Sequence, residues 1–265
     1  MDDSESPLPR EIALAWGLGD GPRRGRRPSL DLGAITAAAV AIADRDGLAA
    51  VSMNRLASDL GVSAMSLYRY VESKDELVQL IADAALGFPD IPERLGDDWR
   101  TELEEWTLRA SERFRAHPWI TEIPSLSLPV MPCNLAWMDY ALRVLEHTPL
   151  PYQERLGIVV LLSGYARTMA ATSVGLARGY AASGTAAEAA DDAYARTLAA
   201  VTDAERFPAL RALVDDHLLT ADAGPDGPDH ATAEDELFRF GLDRVLDGIG
   251  MLVARGAARS DAAGS

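Results

Sequence analysis

Cysteine and lysine are almost missing from this chain: Cys133 and Lys74 each stand alone among 265 residues. A lone cysteine excludes an intrachain disulfide and a thiolate metal centre, and it fits a reducing cytoplasm. The four histidines, His117, His147, His217 and His230, show no metal-ligand spacing. No HExxH, no GxSxG and no phosphate loop ending in Gly-Lys-Ser/Thr occurs. Asp215-Asp216-His217 pairs carboxylates with a histidine, but in a polar helical stretch that reads as solvated surface. No catalytic residue, metal ligand or cofactor is therefore expected, and no enzymatic activity. Alternating apolar and polar residues are also missing, which excludes strands and leaves an all-α protein. No apolar run looks long enough to span a bilayer. The acidic start, MDDSESPLPRE, has no basic-then-apolar signal segment. A cytoplasmic chain without a membrane partner is the expectation.

What is present is a helical pattern with one dense motif. Hydrophobic residues make up 48% of the chain, enough for a full core and one or two domains. Met53, Leu56, Ala57 and Leu60 keep helical spacing, and Gly61 then breaks the run where a tight turn tolerates no β-carbon. Val62 can plug the space between two helices, and Ser63 offers an N-cap oxygen to a second helix, Ala64 to Val71. The predicted solvent side of that second helix carries Met65, Ser66, Tyr68, Arg69 and Tyr70. Such a side suits a DNA major groove, where hydroxyls and arginine meet base edges and phosphates, and apolar groups meet thymine methyls.

These residues resemble the DNA-binding domain of the TetR family of transcription regulators. The resemblance begins at Ile35, Ala38, Ala39, Ala41 and Ile42, passes Gly47-Leu48 and Val51-Ser52, and runs through LASDLGVSAMSLYRYVESKDELV to Val78. It implies a three-helix helix-turn-helix head plus a larger helical ligand-binding and dimerisation domain. On that reading residues 1–29 form a flexible extension, 30–76 the head, 77–257 the body and 258–265 a disordered tail. Ala64, Met65, Ser66, Tyr68 and Tyr70 would face the groove, and Asn54 and Arg55 would approach backbone or bases. Ser52, Ser63 and Arg69 complete the candidate set. Lys74, in the first turn of the next helix, would hold a phosphate with that helix's N-terminus. Ala64 and Met65 have few hydrogen bonds to offer, so methyl contacts are expected there. The implied partners are double-stranded operator DNA, a small-molecule effector and a second copy of the chain. The implied role is a repressor released from a palindromic operator, with an exporter or antibiotic-related genes as targets. The alternative is a helical ligand- or protein-binding module whose head is unused.

A net charge of −16 argues against nucleic acid unless its distribution is considered. Residues 1–80 hold 12 acidic and 9 basic side chains, while the remaining 185 hold 29 and 16. A phosphate responds to charge within a Debye length of ~10 Å, so the acidity of the body matters little at the head. Arg23, Arg24, Arg26 and Arg27, spaced by Gly25 and closed by Pro28, make a narrow strip suited to an A·T minor groove; the other reading is a solvated tail. Prolines and glycines punctuate residues 1–29 too often for a stable helix, although residues 12–18 could dock on the body.

Further helices are expected over Asp31–Arg45, from Ser73 as N-cap to about Leu86, and over Asp98–His117, Met131–His147, Pro151–Ala182 and Ala233–Ala257. One or two more fall in residues 185–220, and residues 224–229 (GPDGPD) read as a loop. The helix 151–182 is rich in small residues and the last helix is apolar on more than one face, so both are expected at a dimer bundle. Candidate effector contacts are Trp106, Arg109, Phe114, Trp137, Met138, Tyr165, Arg167 and Met169, with His117, Trp119, Tyr140 and Ser173 nearby in the pattern. Each is also explained singly by core packing. Residues 118–132, bearing four prolines, read as a cavity wall or a plain connector.

Overall fold

The computed structural model describes residues 8–18, 30–92, 95–96, 98–124, 130–184, 187–215 and 230–263. Among these, eleven α-helices form and no strand. They are α1 (Arg10–Ala15), α2 (Leu32–Asp46), α3 (Met53–Asp59), α4 (Ala64–Leu67), α5 (Lys74–Leu86), α6 (Trp99–Ala116), α7 (Pro132–Val144), α8 (Tyr152–Ser183), α9 (Ala187–Val201), α10 (Pro208–Asp215) and α11 (His230–Ala263). Short 3-10 helices cover Leu48–Ala50 and Pro118–Glu122.

The chain divides into two compact units, residues 1–170 with 249–265, and residues 171–248. In the first, α2, α3 and α4 surround an apolar cluster that includes Ile35, Ile42, Val51, Leu56, Leu67 and Val71, all at most 1% exposed. The helices start where short polar side chains accept orphan N–H groups. Asp31 Oδ1 accepts from Ala34 N at 2.8 Å, Ser52 Oγ from Arg55 N at 3.3 Å, Ser63 Oγ from Ser66 N at 3.3 Å and Ser73 Oγ from Glu76 N at 3.0 Å. Glu76 reaches back to Glu72 N at 2.7 Å, one residue beyond the usual capping box. Gly61 turns α3 into α4 with φ +66°, a left-handed conformation that strains any other L-residue. The second motif helix is shorter than its pattern: after Leu67 the bonding tightens, Tyr70 N meeting Leu67 O at 2.8 Å.

Residues 10–15 form a helix despite the surrounding prolines and glycines. Tertiary contact supplies what local propensity lacks. Arg10 pairs with Glu72 (3.3 Å) and Glu76 (3.0 Å) on α5, Ala13 is buried, and Trp16 Nε1 donates to Val130 O at 2.9 Å. Residues 12–18 thus dock on α5 and on the chain entering α7.

The body part of this unit contains α6, α7 and the first half of α8. Buried Asp83 of α5 accepts from Cys133 N (3.2 Å), Asn134 N (3.0 Å) and Asn134 Nδ2 (3.2 Å), and so caps α7 from another helix. Trp106 and Trp137 stack edge to face at 5.9 Å. Gly256 marks a close approach of α11, since a Cβ there would lie 2.9 Å from Pro149 O.

In the second unit, Ser173 Oγ lies 2.6 Å from Glu234 Oε2, and Arg211 Nη1 donates to Ala199 O at 3.0 Å, tying α10 to α9. Phe238, Leu242 and Leu246 are buried along α11. That helix outruns the expected 233–257 at both ends, its C-terminal extension being alanine-rich and strongly helix-forming. The GPDGPD segment lies outside the described residues.

One expectation needs correction. By length and composition α8 is apolar enough to cross a membrane, with an 18-residue window of mean hydropathy 1.2 over Tyr152–Ala182. Glycine and alanine dilute its few charges without producing a long leucine-type run. The core helix of a soluble protein can pass the same test.

Candidate nucleic-acid interface

The caps at Ser52 and Ser63 and the glycine turn hold α4 so that part of its surface projects from the head. Met65 is 75% exposed, Tyr68 44%, and Arg69 is exposed. With Ser66 they line a shallow concavity of about 290 Å³. Ser66 Oγ shares a 2.9 Å hydrogen bond with Ser63 Oγ. This is an apolar, phenolic, hydroxyl and guanidinium surface gathered within one turn.

Two residues expected on that surface are elsewhere. Tyr70 is half-buried, and its hydroxyl donates to Leu30 O at 2.9 Å, tying the reading helix to the entry of α2. Ala64 is half-buried against the head's core. The helical pattern places both on the outward arc, but the tightened turn after Leu67 draws the Tyr70 ring inward.

The charges are also distributed differently. Arg55 Nη2 sits 2.5 Å from Asp46 Oδ2, which also receives Arg45 Nε at 2.9 Å. A phosphate must compete with a carboxylate for Arg55. Arg69 and Lys74 are exposed cations with no ion pair among the described residues. Lys74 stands in the first turn of α5, where the orphan N–H groups also favour an anion. Asn54 is exposed on α3 and Ser52 at its cap. Arg23, Arg24, Arg26 and Arg27 lie outside the described residues.

The candidate effector residues do not converge on one described cavity. The indole N–H groups of Trp106 and Trp137 are taken by Trp137 O and Gly87 O, each at 2.9 Å, as buried indoles require. Arg109 pairs with Glu105 and donates to Asp90 O at 2.6 Å. Burial opposes its charge, yet Glu105 raises its pKa above the usual arginine value. Phe114 packs against the head's core. Met138, Tyr165 and Met169 are half-buried on α7 and α8. Burial pushes the Tyr140 phenol up, and Glu102, 3.3 Å from its hydroxyl, adds to the shift. Arg167 is half-buried, and desolvation lowers its pKa. Its Nη2 meets Ile120 O at 3.1 Å, Thr121 O at 3.2 Å, and Ile123 O. Of the residues 118–132 read as a wall or connector, 118–122 form the second 3-10 helix, and 125–129 lie outside the described residues.

Sequence reasoning missed Asp44 and Asp83, whose partners lie far along the chain. A readable signal existed for Asp83, a carboxylate at a buried register position of the apolar helix α5. Asp44 offered none. Cys133 is buried, and desolvation followed by Asp83 pushes its thiol from 9.0 up to about 12. It stays protonated and is no nucleophile at neutral pH. Among the described residues no group of three or more His, Cys, Asp or Glu could hold a metal.

A capped helix-turn-helix with an exposed reading face, carried on an all-α chain, defines a DNA-binding transcription regulator. Residues 35–81 match the N-terminal domain of the bacterial regulatory proteins of the tetR family, and residues 91–253 match the tetracyclin repressor-like C-terminal domain. The chain belongs to the TetR family. It is 33% identical over 250 residues to the HTH-type transcriptional repressor DrrR1 of Streptomyces coeruleorubidus, covering 94% of this chain and 87% of that protein. Its fold is similar to apo ActR of Streptomyces coelicolor (TM-score 0.68, 25% identity, 89% of this chain and 100% of that one). It is also similar to ActR in complex with actinorhodin (TM-score 0.66, 26% identity, 84% and 98%).

Proposed function

We propose that this regulator is a cytoplasmic, non-enzymatic repressor that binds a near-palindromic operator as a homodimer and releases it when a small molecule occupies the body. The observation that carries this reading is the exposed face of Met65, Tyr68 and Arg69 on a fully capped helix-turn-helix. One such helix offers few base contacts, so two half-sites about one DNA turn apart supply the affinity. Tyr68, Ser66, Met65 and Arg69 read the groove, Asn54 and Ser52 approach the backbone, Lys74 holds a phosphate, and Arg23 to Arg27 enter the flanking minor groove. Ser63 acts chiefly as the cap. Arg55 contributes only after leaving Asp46, and Tyr70 supports the helix from behind.

The dimer reading draws on apolar surface left uncovered in one chain. Val160 and Leu161 on α8, and Leu237, Phe240 and Met251 on α11, are each more than half exposed. A Cβ on Gly157, Gly164 or Gly175 would meet nothing within 4 Å. A second copy covers this surface in our reading, rather than lipid. ActR forms a complex with actinorhodin, which supports a small-molecule effector of that kind here; antibiotic-related genes, an exporter among them, are the targets in our reading. Met138, Tyr165, Arg167 and Met169 are the contacts we assign to it, with Trp106, Arg109, Phe114 and Trp137 shaping the walls.

Footprinting the purified protein on the DNA flanking its own gene, at two salt concentrations, tests the regulator. A protected near-palindrome at physiological salt, weakened at least tenfold by Tyr68→Ala and released by actinorhodin, is the expected result. Absence of protection even at low salt overturns it and favours a binding module with an unused head.

A further inference from the structure

Carboxylates crowd the start of α5. Glu72, Asp75 and Glu76 surround Lys74 in the stretch Glu72-Ser73-Lys74-Asp75-Glu76. Lys74 is nevertheless exposed and forms no ion pair among the described residues. The reason is a cation from far along the chain. Arg10, the first residue of α1, spreads its guanidinium across two of the three acids: Nε lies 3.3 Å from Glu72 Oε1 and Nη1 lies 3.0 Å from Glu76 Oε1. The other oxygen of Glu76 accepts from Glu72 N at 2.7 Å, so both oxygens of that buried carboxylate are engaged. Arg55 shows the opposite outcome, with Asp46 holding its guanidinium at 2.5 Å.

The helix that carries Arg10 is held in place independently of these pairs. Ala13 is 5% exposed, Ile12, Leu14 and Ala15 pack against the head's apolar cluster, and Trp16 Nε1 donates to Val130 O. A planar fork presented from a docked helix loses little further freedom when it pairs with two carboxylates. Without it, Glu72 and Glu76 would lose their partner, and Lys74 is the cation nearest to both along the chain. An unpaired carboxylate there opposes a phosphate twice: it occupies the ammonium, and it repels the anion. One unit charge about 4 Å away in bulk water changes an affinity about fivefold.

We infer that Arg10 is a positioning residue of the DNA interface: by holding Glu72 and Glu76 it keeps Lys74, at the N-terminus of α5, free for a phosphate. This rests on the reading of the chain as a DNA-binding regulator and deepens it by adding α1 to the interface. Arg10 lies outside both family-matched stretches, residues 35–81 and 91–253. It touches no DNA itself and acts through the acids it holds.

The test is titration of the full-length protein against the DNA flanking its own gene, across a salt series. Arg10→Gln keeps hydrogen-bond donors but loses the charge, and its affinity is expected to fall about fivefold. Its salt slope is expected to fall by up to about 0.9, the value of one phosphate contact. Arg10→Lys, which keeps the charge, is expected to retain most of the affinity. Adding Glu72→Gln to Arg10→Gln is expected to restore much of both affinity and slope, since the acid that turns on Lys74 is then neutral. An anchor that acted only by docking α1 would not be rescued, because Glu72→Gln removes a partner of α1 rather than replacing one. Glu72→Gln alone is expected to bind at least as tightly as the wild type. Arg10→Gln binding like the wild type, a double variant as weak as Arg10→Gln, or weaker binding by Glu72→Gln alone each overturns the proposal. A wild-type protein that binds no DNA at any salt defeats the regulator reading and this proposal with it, whereas wild-type binding with an unrescued Arg10→Gln defeats the proposal alone.

Discussion

The head secures all its helix starts with local caps, whereas the body adds long-range ties to a local cap, that of Asp98 on α6. In the head the helix starts are secured locally: Asp31, Ser52, Ser63 and Ser73 each cap an N–H three residues ahead. In the body the ties run far along the chain. Asp83 caps α7 from fifty residues away, Trp106 and Trp137 donate to carbonyls on other segments, and Arg167 reaches back to Ile120. Local caps define a small element that can be carried as a unit. Long ties bind elements together and let a displacement in one be felt by another. A reading head needs the first property and an effector-responsive body the second.

The largest effect that could sharpen this contrast is expected from Asp83→Ala. It leaves buried N–H groups at the start of α7 unpaired, at about 1–3 kcal/mol for each donor. Thermal unfolding of the full chain should drop accordingly, and a loss no greater than that of a head cap would break the comparison. Ser63→Ala removes an exposed cap whose N–H water can reach, so about 1 kcal/mol is expected. Its operator affinity should fall further than its stability does, because α4 carries the face we propose to read DNA.

Within the head, Lys74→Ala should reduce the salt slope of operator binding by about 0.9, the value for one phosphate contact. Arg55→Ala should change that slope less, because Asp46 already neutralises the guanidinium. Equal slopes for the two variants would show that Arg55 leaves Asp46 on DNA.

The smallest effect concerns Cys133. Its thiol pKa is raised on folding, so the stability it contributes is fully present below the ordinary value of 9.0 and is lost as pH rises towards about 12. At neutral pH no titration effect is expected, and iodoacetamide should label Cys133 only after denaturant is added. Rapid labelling of the folded protein would show that the α5–α7 junction opens readily.

The helix-turn-helix was legible because its signals are short-range. Ser52, Gly61, Ser63 and Ser73 act on residues three or four away, so the spacing in the chain is the spacing in space. The same approach failed at Tyr70. Its helical register pointed outward, but the tightened turn and the Leu30 carbonyl took its hydroxyl inward. It failed too at Arg10–Ala15, where prolines and glycines dominate locally and contacts with α5 decide the outcome. In the sequence Trp106 and Trp137 are cavity candidates that core packing explains better one by one, and both indole N–H groups are satisfied by backbone carbonyls, as core packing requires.

The amino-acid sequence by itself determined the all-α class, the capped three-helix head and its family, because periodicity, caps and turns are local properties of the chain. The tertiary structure alone decided which exposed cations of the head lack an ion pair among the described residues, which aromatic groups are satisfied, and that Asp44 of α2 and Arg167 of α8 both bond to residues 117–123. Those facts depend on which distant groups meet, and charge, desolvation and hydrogen bonding act over a few ångströms of space regardless of distance along the chain.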